Sequence, residues 1–126
     1  MPQTVLIVED SENVAENLEV VLTTIAGITV MIVPSGREAL KLLVNGDCEL
    51  AALVTDLNLP FVDGFALIEA ARGNQRYSRL PIVVVSGDSH PETPERLRRL
   101  GANAYFPKPY SPAEIKRTLE GLLNAR

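Results

Sequence analysis

Val5-Leu6-Ile7-Val8-Glu9-Asp10 sets four consecutive apolar residues directly before two acids. A strand of that composition has no polar face to turn to water, so it must be covered on both sides, as in a parallel sheet between two helical layers. Comparable runs rich in β-branched residues recur at Ile28–Val33 and at residues 50–55, 81–85 and 104–106. Helical patterns separate them. Val14, Leu18, Val21, Leu22 and Ile25 form one apolar stripe that Gly27 is placed to stop. Ser35-Gly36-Arg37-Glu38 reads as a capping box, followed by Leu40, Leu43 and Val44. A third helix fits residues 64–72, and a short fourth fits 94–100 behind Thr93. A fifth opens with a second box, Ser111-Pro112-Ala113-Glu114, and carries the stripe Ile115, Leu119, Leu122 and Leu123. Strict alternation of five strands with five helices predicts an α/β, flavodoxin-like, doubly wound five-stranded parallel sheet of order 2-1-3-4-5.

Length and composition agree with one domain over residues 1–126. The chain has 126 residues, 46% of them hydrophobic and 22% charged, with no internal repeat and no low-complexity stretch. A chain of this size buries enough surface for a core without disulfide or metal staples. No apolar run approaches the ~18 residues of a membrane span, and residues 1–8 carry no basic residue of the kind that opens a secretory signal, so a cytoplasmic location is expected. Cys48, the single cysteine, reads as a small apolar filler. Up to Glu69 there are two basic and eleven acidic residues, and after it ten basic against five acidic, for a net charge of -4. The basic half lacks interleaved aromatics and is broken by acids, which favours a solvated surface over direct nucleic-acid binding.

The polar residues near strand ends carry the chemistry. Glu9 and Asp10 follow the first strand, Asp56 ends the third, Ser86 lies at the end of the fourth and Lys108 after the fifth. In a parallel sheet all these ends share one edge, and in the order 2-1-3-4-5 the first and third strands meet at the switch point where ligands bind. Three carboxylates there repel one another and need compensation, which a divalent cation and Lys108 supply in full. Oxygen ligands select a hard cation, most simply Mg2+. Any one of these acids could be merely solvated; five such residues at one edge are not explained that way. A carboxylate beside a metal, an ammonium and a hydroxyl is suited to accepting a phosphoryl group, with Asp56 as nucleophile.

Glu9-Asp10, Thr55-Asp56-Leu57-Asn58-Leu59-Pro60 with Asp63-Gly64, Ser86-Gly87, and Tyr105-Phe106-Pro107-Lys108-Pro109 together resemble the receiver domain of bacterial two-component response regulators, with stand-alone chemotaxis-type receivers as the nearest kind. The resemblance spans the whole chain. It implies that Asp56 is the phosphoacceptor and that Glu9, Asp10, Asp56 and the Asn58 backbone carbonyl hold Mg2+. Ser86 and Lys108 are implied as phosphate contacts, Ser86 and Tyr105 as the switch pair, and Lys108-Pro109 as a cis bond. Gly87, with Asn58 and Asp88 flanking it, is implied to tune the lifetime of the phosphorylated state toward a transient signal. Glu9, Asn58 and Gly87 depart from the family's commoner Asp, Met and Ala without removing a functional group. The implied partners are a sensor histidine kinase or histidine phosphotransfer protein and a downstream protein target met by the fourth helix, fifth strand and fifth helix, where Arg96, Arg98, Arg99, Lys116 and Arg117 fall. The fourth helix, barely two turns behind Pro91 and Pro94, is expected to have low local stability.

On this reading the protein is a switch and not an enzyme, assisting only its own phosphorylation and dephosphorylation. Two other readings fare worse. A magnesium-dependent phosphohydrolase needs a second acid two residues after the nucleophile, where Asn58 stands, and a flavodoxin-like cofactor module needs a phosphate-binding loop where Glu9-Asp10 would repel phosphate. His90, without a second ligand nearby in sequence, reads as a loop residue. The chain reads either as a stand-alone receiver or as the amino-terminal piece of a longer protein.

Overall fold

The computed structural model describes residues 3–125; Met1, Pro2 and Arg126, the ends of the expected domain, lie outside that range. Five parallel strands, β1 (Gln3–Val8), β2 (Ile28–Val33), β3 (Ala52–Asp56), β4 (Ile82–Ser86) and β5 (Ala104–Pro107), form one sheet in the order β2-β1-β3-β4-β5. Four helices connect them, α1 (Glu12–Leu22), α2 (Gly36–Asn45), α3 (Gly64–Gly73) and α4 (Thr93–Leu100), and α5 (Pro112–Asn124) follows β5. Alternate side chains of the strands feed two cores. Leu6, Val8, Leu53, Ile82 and Val84 pack beneath α2, α3 and α4, while Val5, Ile7, Val54, Val83 and Val85 pack against α1 and α5. The three middle strands are apolar on both faces because both faces are covered. Among the described residues no helix is long and apolar enough to cross a membrane.

Several ends differ from the expectation, each for a local reason. The first helix stops at Leu22, well before Gly27, because the Thr23 and Thr24 hydroxyls donate to the carbonyls of Glu19, Val20 and Val21 and finish the last turn themselves. Ile25 remains buried but lies outside the helix, and Gly27, at φ 79°, makes the turn into β2. The fourth helix starts at Thr93 itself, with Glu92 at the cap and no side-chain cap bond. Ser35 caps α2 as expected, accepting from the Arg37 and Glu38 amides, whereas Ser111 makes no side-chain cap bond to α5. A 3-10 turn at Gln75–Tyr77, not foreseen, buries Tyr77, whose hydroxyl donates to the carbonyl of half-buried Cys48.

The loop from β3 to α3 is held tightly. Its Leu57 amide donates to the Val85 carbonyl at 3.0 Å, and the Gly64 amide donates back to the Leu57 carbonyl at 2.8 Å. A Cβ on Gly64 would stand 2.7 Å from the Asp56 carbonyl oxygen and 2.8 Å from the Leu57 Cα, so only glycine lets α3 begin this close to the end of β3.

Candidate functional site

The carboxyl edge of the sheet brings Glu9, Asp10, Asp56, Ser86 and Lys108 together. Glu9 and Asp56 are 2% and 3% exposed, while Asp10 is open to solvent. One carboxylate oxygen from each of the three acids lies within 4.8 Å of the other two. The Lys108 ammonium donates to Asp56 Oδ2 at 2.8 Å and stands 3.7 Å from Glu9 Oε1. Asp56 Oδ1 accepts the Asn58 amide at 3.0 Å, so the β3–α3 loop folds back over the carboxylate from the other side. Glu9 Oε2 accepts the Ser11 amide at 3.0 Å, but its buried Oε1 has no hydrogen-bond partner among the described residues.

That orphaned oxygen is the strongest sign of what the cluster can hold. A buried carboxylate oxygen without a hydrogen-bond donor costs free energy, and the Lys108 ammonium 3.7 Å away meets it only at ion-pair range, so a closer cation or a proton is favoured there. Burial, followed by the charge of Asp56 and the neighbouring Asp10, pushes the Glu9 carboxyl up to about 7, against the opposing pull of the Ser11 amide and Lys108. Burial by itself would lower the Lys108 ammonium, but its bond to Asp56 and the charges of Asp56, Glu9 and Asp10 outweigh this and hold it above its usual value. Three converging carboxylates, one of them with a buried oxygen that accepts no hydrogen bond, fit a hard cation such as Mg2+.

Ser86, fully buried, accepts from the Asp88 amide at 2.9 Å and from the Asn58 side-chain amide at 3.3 Å. Both bonds use its lone pairs and leave its own proton free to donate. Asp88 also accepts the Tyr105 hydroxyl on its backbone carbonyl at 3.1 Å, so a single residue touches both Ser86 and the half-buried Tyr105. The Asp88 carboxylate is engaged by its own loop and by the first residue of α4. It accepts the His90 amide at 2.9 Å and the Thr93 hydroxyl at 3.0 Å and pairs with the exposed His90 ring. Its hydrogen bonds to the amide and ring of His90 hold it below the usual carboxylate range, and the same contact raises the His90 ring above its ordinary value. Gly87 is open, since a Cβ there would meet nothing within 4 Å, and the Lys108-Pro109 peptide is cis, as expected.

Two neighbours were not singled out in the sequence. Tyr110 follows the cis proline and packs against the core shared with α1 and α5, and burial, then the charges of Glu9 and Asp56, push its hydroxyl up to about 12. Arg72 leaves α3 to donate to the carbonyls of Tyr77 and Gly101 and to Asn103, tying the end of α4 to the body of the fold. Nothing local in the sequence marks either residue; both depend on which loops the fold brings together.

A doubly wound sheet whose switch point gathers three carboxylates, a lysine and a serine defines a class of α/β proteins with an acidic, lysine-bridged pocket. The chain belongs to the response regulator receiver domain family, whose description matches residues 5–120. It is 29% identical to a chemotaxis protein CheY homolog of Campylobacter jejuni, over 94% of this chain and 90% of that protein. It is also 33% identical to the transcriptional regulatory protein GltR of Pseudomonas aeruginosa, over 96% of this chain but 49% of that longer protein. Among solved structures, the chemotaxis response regulator CheY4 of Vibrio cholerae superposes with a TM-score of 0.84 at 27% identity, covering 97% of this chain and 99% of that one. The receiver domain of the sensor histidine kinase PA1611 of Pseudomonas aeruginosa, a structure with a magnesium ion coordinated in its active-site cleft, superposes at 0.83 with 26% identity, covering 98% and 99%. The chain is thus a CheY-like receiver domain, a signalling module of two-component systems and not a conventional enzyme.

Proposed function

We propose that Asp56 accepts a phosphoryl group from a phosphohistidine on a sensor histidine kinase or histidine phosphotransfer protein, in the presence of Mg2+, and that the modification remodels the surface made by α4, β5 and α5. The observation that carries this reading is the Asp56 carboxylate itself. It lies at the end of β3, almost fully buried, with Lys108 on one oxygen and the Asn58 amide on the other. Attack by a carboxylate oxygen forms the new O–P bond as the P–N bond to imidazole breaks, and the imidazole leaves with a proton from solvent. Lys108 is placed to follow the charge onto the transferred oxygens. Glu9 has one oxygen on the Ser11 amide, and Lys108 stands 3.7 Å from its other oxygen against 2.8 Å from Asp56, so the ammonium serves Asp56 first.

Glu9, Asp10, Asp56 and the Asn58 carbonyl would hold the Mg2+, which when bound supplies positive charge to the phosphoryl oxygens in transfer. Asp10→Asn is expected to weaken magnesium binding by at least about tenfold, because it removes a charged oxygen ligand from an exposed position without disturbing the core. Unaltered magnesium affinity by calorimetric titration would show that Asp10 is not a ligand.

Ser86 has its hydroxyl proton to give, and the new phosphoryl group is the strongest acceptor within reach. Turning toward it breaks the bond from the Asp88 amide and frees the loop that holds Tyr105. The fourth helix responds readily, being eight residues long and without a side-chain cap. Leu97 in the core, Arg96 over the Phe65 ring and the Arg72 bridge at its far end fasten it to the body. Ser86→Ala is therefore expected to take label normally while the Tyr105 ring resonances stay at their unphosphorylated positions. Ring shifts equal to those of the phosphorylated wild type would contradict the coupling. Lifetime follows from the same geometry: Gly87 leaves the approach to the acceptor open, Asn58 flanks it, and Asp88 is held by His90 and Thr93, which supports a transient signal tuned mainly by Gly87 and Asn58.

The test of the donor is direct phosphotransfer. Label should pass from an autophosphorylated histidine kinase or phosphotransfer protein to this chain only when divalent cation is present. Transfer that proceeds at the same rate with excess chelator would refute the metal-assisted reading.

A further inference from the structure

Phe61, in the β3–α3 loop, buries almost none of its surface in its own fold. It is 86% exposed and sits at φ 67°, in the left-handed region where the Cβ of an L residue is crowded and where a bulky aromatic is an outlier. The Val62 amide donates to the Pro60 carbonyl at 2.7 Å, which closes a γ-turn of the rare, strained, positive-φ kind around Phe61. Glycine or asparagine would occupy this place with less strain. Instead the turn lifts an aromatic ring into water, and Arg37, from the first turn of α2, lays its guanidinium 4.5 Å from the ring centroid. The two elements are locked together, since Gly36 lies directly against the Val62 carbonyl.

We propose that the Phe61 ring, flanked by Arg37, is a docking contact for the protein that delivers the phosphoryl group. The inference rests on the reading of Asp56 as acceptor. Asp56 is 3% exposed at the floor of its pocket, so a protein donor must lay its surface over the loops at the carboxyl edge of the sheet to bring phosphorus to it. The loop bearing Phe61 leaves directly from Asp56, so a surface laid over that loop meets its exposed ring. A small donor reaches the same carboxylate without touching the ring. Aromatic and arginine side chains are enriched at the centres of protein interfaces, and a strained conformation kept at an exposed residue points to a functional role. Arg37 is one of only two basic residues before Glu69, in the acidic half of the chain. The pair therefore fits a phosphohistidine protein that offers an apolar side chain to the ring and a carboxylate to the guanidinium.

The experiment compares two donors on the same variants. Acetyl phosphate is the small one. The protein donor is the autophosphorylated kinase core that labels the wild-type chain fastest in a panel of histidine kinases from the same organism. Phe61→Asn, which suits the left-handed turn, is expected to keep the wild-type rate with acetyl phosphate and to lose about tenfold in kcat/KM with the kinase core. Phe61→Tyr keeps the ring and should transfer within about twofold of wild type, and Arg37→Ala should fall between the two. Equal transfer from the kinase core to Phe61→Asn and wild type overturns the proposal. So does a loss of the same size with both donors, which would mean damage to the pocket. A wild-type chain labelled by acetyl phosphate but by no histidine kinase or histidine phosphotransfer protein of that organism also overturns it, whereas one labelled by neither kind of donor sinks the acceptor reading on which it stands.

Discussion

Asp56→Asn is expected to take no measurable phosphoryl group from acetyl phosphate or from a phosphohistidine protein, a loss of roughly a thousandfold or more in labelling rate. The amide keeps the size of the carboxylate, and its oxygen can still accept the Asn58 amide, so the loop geometry at Oδ1 survives. What disappears is the anionic nucleophile, together with the strong acceptor that Lys108 meets at 2.8 Å. Glu9 is not expected to substitute. One of its oxygens is committed to the Ser11 amide, and Lys108 stands 3.7 Å from the other against 2.8 Å from Asp56. Intact-mass measurement after incubation with acetyl phosphate checks this, and full stoichiometric labelling of the variant would remove Asp56 from the role.

Gly36→Ala carries the largest expected cost in stability. A Cβ at that position would stand 2.2 Å from the Val62 carbonyl oxygen and 3.1 Å from the Val62 Cβ. The obstruction is backbone, so relief requires α2 to pull away from the β3–α3 loop and to loosen the core around Ala39 and Leu43, both fully buried. The cost should be about 3 kcal/mol, lowering Tm by on the order of 10 °C. Gly121→Ala, within α5, is the control: a Cβ there meets nothing within 4 Å, and it should gain roughly 0.5 kcal/mol from helix propensity. Thermal unfolding of both variants decides it, and a Gly36→Ala protein as stable as wild type would show that the loop yields freely.

The arrangement of the pocket was legible in the sequence because parallel topology is so restrictive. Once Val5, Leu6, Ile7 and Val8 are read as a strand covered on both faces, every strand end falls on one edge, and Glu9, Asp10, Asp56, Ser86 and Lys108 must gather there. Features that depend on loop conformation were not legible. The Thr23 and Thr24 hydroxyls end α1 by bonds that periodicity does not reveal, and Ser111 has the letters of a capping box without the bond. Asp88 was read as a group facing the site, but the Asx-type turn with His90 and the hydroxyl of Thr93 draw its carboxylate toward α4 instead. Phe61 gave no signal at all. Its meaning lies in a backbone angle that its side chain disfavours, which only the folded chain displays.

The central claim is that an acyl phosphate forms on Asp56, and chemical trapping tests it most directly. Protein phosphorylated with acetyl phosphate and magnesium is reduced with borohydride, which converts an aspartyl phosphate to homoserine, and the altered residue is located by peptide sequencing. The account predicts homoserine at position 56 and nowhere else. Conversion at Glu9 or Asp10, or phosphate on Ser86 that resists the reduction, would contradict it.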